Sequence, residues 1–311
     1  MTPQNQKAKT NAAKLSIFSN TVLIVIKLAV GIMMQSVSVI SEAVHSGIDL
    51  VAALIAWIAV RESGKPADED HPFGHGKYEN VAGTIEAVLI FGAALFIIYE
   101  AILKLHEGKT GIESLGLGAG VMAVSAIANF LVSRHLMKVA KKTDSVALEA
   151  DALHLRTDVY TSVGVLGGLV AIKLTGLTIL DPLVAIVVAL LIIKAAWDLT
   201  RSAFLHILDV SLPEDEARVI HDVMSEYTGR YREYHKVRTR KSGHIRHIDM
   251  HLVVPGGTTV QDAHLLSHEI VDRIGERLPH SHTLVHVEPC EGICRECETG
   301  CTVAPVAHFT P

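Results

Sequence analysis

Residues 37–60 read VSVISEAVHSGIDLVAALIAWIAV, an apolar run broken by Glu42, His45 and Asp49. A helix needs roughly 20 apolar residues to cross the hydrocarbon core of a bilayer, and this run is long enough. Ionisable groups in such a span are expensive and therefore point to function. His45 and Asp49 are four residues apart, so they share one helical face. The stretch predicts a membrane helix that carries a pair of ligands.

Working outward, five more stretches have similar length and character: 15–34, 81–103, 112–136, 147–174 and 177–200. Six membrane-spanning helices are expected in all. Composition agrees: 49% of residues are apolar, only 20% are charged, and mean hydropathy is +0.35. A soluble domain carries about 25% charge. The first span is flanked by Lys7, Lys9 and Lys14 and lacks a small-residue cleavage pattern, so it reads as a retained anchor. Lys and Arg crowd one side of the expected topology. With the N-terminus inside, that side holds Lys7, Lys9, Lys14, Arg61, Lys65, Lys77, Arg134, Lys138, Lys141 and Lys142. The other side holds Lys104, Lys109 and Lys173. Both termini are then expected in the cytoplasm. The net charge of -5 and the lack of a basic stripe argue against nucleic-acid binding. No ATP-binding loop is present, and no enzymatic activity is expected.

The fifth stretch repeats the motif of the second. Residues 148–160 read LEADALHLRTDVY, and His154 and Asp158 have the same spacing as His45 and Asp49. Two helices, each offering an imidazole and a carboxylate, can make a four-ligand site. Two nitrogens and two oxygens suit tetrahedral Zn²⁺. A structural polar network or a metal-free proton relay are the alternatives. Glu42 and Asp151 lie one turn before the histidines and read as ligand partners, groups on the access path or proton carriers. Gly83 and Gly164 either allow close helix approach or permit the rocking of alternating access.

Between the second and third spans lies KPADEDHPFGHGKYEN, residues 65–80. Asp68, His71 and His75 are spaced to wrap one ion, with Asp70 able to assist. Pro72, Gly74 and Gly76 favour turns, so this segment is a loop.

Near Ala203 the hydrophobicity ends. The expected organisation is a transport domain at 1–203, a small domain at 204–290 and a Cys-containing tail at 291–311. In the small domain a helix over 213–227 has Pro213 near its first turn. Two strands follow, at 234–243 and 244–256, with alternation in Ile248, Met250, Leu252 and Val254. A helix over 258–279 has Leu265, Ile270 and Ile274 as inward candidates, and a strand closes the unit at 282–289. The order fits a compact two-layer α/β domain. The chain has 18 histidines, and His235, His251, His264, His268, His286 and Glu288 are candidate ligands here. Cys290, Cys294, Cys297 and Cys301 can surround one soft ion or an iron–sulfur cluster, or stand idle.

These features together resemble the cation diffusion facilitator family, and its bacterial zinc- and ferrous-iron-efflux members in particular, whose loop also reads FGHGK. The resemblance covers about residues 12–290. It implies six transmembrane helices followed by a cytoplasmic ferredoxin-like α/β domain, set among the lipids of the bacterial cytoplasmic (inner) membrane. It implies a homodimer that exports a divalent metal in exchange for protons. His45, Asp49, His154 and Asp158 match the transport site, although the bacterial zinc member has Asp in place of His45. Asp68, His71 and His75 match the loop site. His235, His251, His264, His286 and Glu288 match a two-ion cytoplasmic site, with Glu288 standing where Asp is found. Lys77 and Asp209 match an ion pair between protomers, and Arg240 an interface position. Manganese members tend to carry Asp at the place of His154, which argues for Zn²⁺ as substrate and cytoplasmic ligand, with Fe²⁺ or Cd²⁺ as alternatives. The rival classes are a channel, which would lack a tight four-ligand site, and a membrane-anchored metal sensor.

Overall fold

The computed structural model describes residues 3–34, 37–107, 117–175 and 179–290. The side chains of Glu42 and of 165–173 lie outside the description. So do Cys294, Cys297 and Cys301, and the start of the expected fourth span. The chain divides into two compact units, Met1–Ile207 and Leu208–Pro311.

The first unit is built of long helices: α1 (Pro3–Met34), α2 (Val37–Ser63), α3 (Lys77–Glu107), α4 (Leu117–Thr143), α5 (Val146–Thr175) and α6 (Leu180–Ile207). Among the described residues five of them, all but α5, are long and apolar enough to cross a membrane. The 30-residue α5 carries Glu149, Asp151, Arg156 and Asp158 in its first half. The burial pattern of the unit is the reverse of a soluble bundle's. Phe18, Val25, Met33, Leu131, Leu191 and Trp197 are exposed, whereas the interior is rich in alanine, including Ala52, Ala53, Ala56, Ala87, Ala94 and Ala150. Small interior residues let backbones approach closely where lipid replaces water outside. Two glycines mark the tightest places. A Cβ on Gly83 would lie 2.9 Å from Val146 Cγ1, and one on Gly164 would lie 2.7 Å from Val188 Cγ2.

A buried ion pair ties the helices together. Lys9 Nζ of α1 donates to Glu79 Oε1 of α3 at 2.5 Å, and both side chains are fully buried. Ser63 Oγ of α2 donates to the same carboxylate at 2.7 Å, and Ser145 Oγ, just before α5, donates to its other oxygen. One carboxylate thus joins four segments. Lys9 is therefore not the loop cation that charge counting takes it to be; it is an interior group with a fixed partner. Lys27 of α1 is also buried and donates to Ser46 Oγ of α2 at 2.8 Å.

The second unit comprises α7 (Glu214–Glu226), β1 (Glu233–Ser242), β2 (Ile245–Val254), α8 (Val260–Arg277) and β3 (Ser281–Pro289). Pro213 is the N-cap of α7, and the Thr259 side chain caps α8 by accepting from the Asp262 amide. The sheet order is β1-β2-β3. The first pair is antiparallel, with Gly243 at positive φ in the connection. The second pair is parallel, with α8 as the crossover. Ile248, Met250, Leu252 and Val254 of β2 face a core with Ile220, Val223, Met224, Ile270 and Ile274. Leu265 does not point inward as its apolar character predicts: it is 53% exposed, and Leu266 takes the buried position. Period 3.6 places 266, 270 and 274 on one face, and 265 lies off it. In β1 the pairing shifts between His235 and Arg238: His235 lies opposite His251, and Arg238 opposite Asp249. Two residues are thus bulged out against one, and Lys236 has φ 50°.

Removing one member of a buried ion pair costs about 3–5 kcal/mol, because the other charge is left uncompensated. Glu79→Ala is expected to lower the unfolding midpoint in detergent accordingly. Replacing both partners by apolar residues, Lys9→Met with Glu79→Leu, should recover most of the loss.

Candidate metal sites

The first cluster forms where α2 meets α5. One ligand atom from each of His45, Asp49 and Asp158 lies within 4.8 Å of the others. His45 Nε2 is 3.9 Å from Asp49 Oδ1 and 3.9 Å from Asp158 Oδ1. His154 Nε2 approaches Asp49 Oδ1 at 3.0 Å. All four residues thus converge on one place, with Asp49 Oδ1 at its centre. Helical spacing explains this, since each His–Asp pair is one turn apart on its own helix. Asp49 and His154 are buried, Asp158 is partly buried, and the His45 side chain is 47% exposed. His154 Nδ1 is buried with no hydrogen-bond partner among the described residues. One asparagine steadies a carboxylate and another steadies the backbone of the second ligand helix. Asn129 Nδ2 of α4 donates to Asp158 Oδ2 at 3.4 Å, and Asn20 Nδ2 of α1 donates to the Asp49 carbonyl at 3.5 Å. Neither was singled out from sequence; a lone Asn inside an apolar span is the signal that finds them.

The second cluster is the loop before α3. Asp68, His71 and His75 bring one ligand atom each within 4.8 Å. A turn closed by Gly74 N donating to the His71 carbonyl at 2.9 Å folds the loop back, with Gly74 at φ 81°. His71 N donates to Asp68 Oδ1 at 2.7 Å. That backbone bond is the main reason the Asp68 carboxyl sits below its ordinary range, so it is ionised and ready to bind a cation. His75 Nδ1 lies 3.1 Å from the Pro66 carbonyl, which leaves Nε2, 3.3 Å from Asp68 Oδ2, as the free nitrogen. Asp70 is exposed and does not join this cluster.

The third cluster lies on the sheet face opposite α7 and α8. His235, His251 and Glu288 meet within 4.8 Å. His251 Nδ1 is 2.7 Å from Glu288 Oε1, and His235 Nε2 is 3.3 Å from Glu288 Oε2. Glu233, unremarked in the sequence, takes His235 Nδ1 at 2.8 Å, an outer carboxylate that orients the ring. His286 stands beside the group, its Nε2 at 3.7 Å from Glu288 Oε1. His264 does not join it. It packs against His268 on α8, ring centroids 4.4 Å apart. The reason is topological, since α8 covers the other face of the sheet. Arg240, expected at an interface, is 3.4 Å from Asp209 within the same chain. Two imidazoles and a carboxylate at a half-exposed surface match the donor set that borderline divalent metals accept.

These features define a multi-span membrane protein with histidine–carboxylate clusters on both of its units. The family described as "Cation efflux transmembrane domain" matches residues 13–208, and "Cation efflux protein, cytoplasmic domain" matches residues 212–290. The chain belongs to the cation diffusion facilitator family of cation-efflux transporters, and its role is divalent-cation transport rather than catalysis. It is 33% identical over 290 residues to the cation-efflux pump FieF of Serratia proteamaculans, covering 93% of this chain and 96% of that protein. It is 34% identical over 279 residues to an uncharacterized transporter of Synechocystis sp., covering 90% of each. Among solved structures, the metal-bound C-terminal domain of the CzcD transporter from Thermotoga maritima is 29% identical, covering 25% of this chain and 92% of that one at a TM-score of 0.24.

Hydrogen bonding from His251 holds the Glu288 carboxyl below its ordinary range. A depressed folded value means that this contribution to stability is present above the ordinary value of 4.5 and is lost as pH falls below it. Glu288→Gln is expected to flatten that acid limb in thermal unfolding of the metal-free protein, and to weaken zinc binding to the C-terminal unit at neutral pH.

Proposed function

We propose that the protein exports Zn²⁺ from the cytoplasm in exchange for protons. The observation that carries this reading is the convergence of His45, Asp49, His154 and Asp158 from two helices of an apolar bundle. In this reading α5 is the sixth membrane span, residues 1–203 form the transport domain, and both termini are cytoplasmic. Residues 204–290 form a ferredoxin-like cytoplasmic domain, a reading supported by the order of its two helices and three strands. Asp68, His71 and His75 bind a cytoplasmic ion. His235, His251, His286 and Glu288 bind an ion on the sheet face of the cytoplasmic domain, and His264 offers a separate donor on α8. The working unit is a homodimer, which is supported by the match of residues 212–290 to the family named ZT_dimer and by the open sheet face with exposed Leu284. The membrane is the bacterial inner membrane.

Metal binding requires neutral imidazoles and ionised carboxylates. When the site faces the cytoplasm, where protons are scarcer, the four side chains take the ion. When it faces out, protons compete for the same lone pairs and the ion leaves; the protonated site then returns. No covalent bond is made or broken. Borderline nitrogen ligands with hard carboxylate oxygens favour Zn²⁺, while Fe²⁺ and Cd²⁺ are accepted by the same donors.

Reconstitution in liposomes with an internal pH dye tests this. Wild type should show zinc flux with opposed proton flux, and Asp49→Ala should bring both to background. Asn129→Ala, which removes only a support of Asp158, should weaken zinc affinity by about 10–100-fold. Equal fluxes in wild type and Asp49→Ala would refute the assigned site.

A further inference from the structure

Glu86 lies in the first third of α3 and is fully buried, and neither carboxylate oxygen has a hydrogen-bond partner among the described residues. Asp151 of α5 is in the same condition: fully buried, with both oxygens unpartnered. The two act on each other electrostatically. The Ser16 hydroxyl of α1, also fully buried, acts on Asp151 as a weak donor from beyond ordinary hydrogen-bond distance. Around Glu86 the wall is apolar, with Ala87, Ile90, Ala150 and Ile192 all buried.

Among the described residues no cation is placed to neutralise this pair. Lys9 is committed to Glu79 and Lys27 bonds Ser46. On α6, which packs along α3, Lys194, Asp198 and Arg201 are exposed. On α4 the basic groups Arg134, His135 and Lys138 are exposed as well. The remaining groups whose charge reaches Asp151 are His154, Asp49 and Asp158 of the α2–α5 cluster. Two carboxylates in an apolar interior cannot both stay ionised without a cation or hydrogen-bond donors. The species that fits them is a proton.

We propose that Glu86 and Asp151 form a resident proton site coupled to the ion site beside it. The inference rests on the antiport reading and adds a proton carrier that is not a metal ligand. The coupling is electrostatic. A dication among His45, Asp49, His154 and Asp158 makes the local field positive, and Asp151 feels it, so the pair releases its proton. Departure of the ion leaves the anionic carboxylates, and the pair takes a proton back. Glu86, further from the ion, is the reservoir; Asp151 is the link.

Two measurements on the full chain test this. In liposomes, Glu86→Gln should lower the number of protons exchanged per zinc by about one and flatten the pH dependence of transport. An unchanged ratio and pH profile in Glu86→Gln would overturn the proposal. The second readout needs no transport. Infrared difference spectra of detergent-solubilised wild type, recorded on adding zinc, should show loss of a protonated-carboxyl band that Glu86→Gln or Asp151→Asn removes. A band change identical in wild type and both variants would overturn the proposal. If wild type moves zinc without protons, the antiport reading fails, and the infrared result still decides whether this pair holds a proton.

Discussion

An ionised side chain in a low-dielectric interior must be met by a partner, and the helical unit is organised around that requirement. The cost of leaving one unmet is several kcal/mol, comparable to the whole stability of a domain. Lys9 and Glu79 meet it with each other and with two serine hydroxyls. Lys27 meets it with Ser46. His154 and Asp49 meet it across α5 and α2. The apolar surface of the bundle says where the chain resides; these polar ties decide which helices stand together.

The same requirement separates structural polar groups from working ones. The Glu79 carboxylate is saturated: Lys9, Ser63 and Ser145 occupy its oxygens, and nothing is left to bind cargo. The α2–α5 cluster is built differently. Its two carboxylates face two imidazoles at 3.0–3.9 Å, with the Asn129 amide behind Asp158. Such a group is under-neutralised until a cation enters, which is the electrostatic condition for a site that binds and then lets go. The loop and sheet-face clusters share the chemistry but sit nearer the surface, where water reduces the penalty and the grip.

Much of this was legible in the sequence because it rests on short-range periodicity. The spans announce themselves by length, and His45–Asp49 and His154–Asp158 by one-turn spacing. Strand β2 shows in the alternation of Ile248, Met250, Leu252 and Val254. What was not legible depends on distant partners. Lys9 and Glu79 are 70 residues apart, so Lys9 read as a loop cation. Leu265 and Leu266 are adjacent and chemically identical; only packing decides which is buried. His264 has the right chemistry, yet α8 carries it to the other side of the sheet. Glu86 was legible in principle: it is one of two acids, with Glu100, within the third apolar stretch, marked by the same logic that marked Glu42.

The bulge in β1 has a consequence for how this protein can change. Strand side chains alternate between faces, so an extra residue flips everything on one side of it unless a bulge absorbs it. Because two residues between His235 and Arg238 oppose one on β2, His235 emerges on the same face as His251 and Glu288. The present sequence therefore keeps this ligand only while the bulge persists: regular pairing carried on from Arg238 would set Lys236 opposite His251 and His235 opposite Leu252, on the hydrophobic side, whereas deleting one residue at 236 or 237 would remove the bulge and leave His235 opposite His251. At this strand the reading frame of the pleat carries as much information as the identity of the residues, and a change that flattens the bulge removes the ligand as surely as a change of the histidine itself.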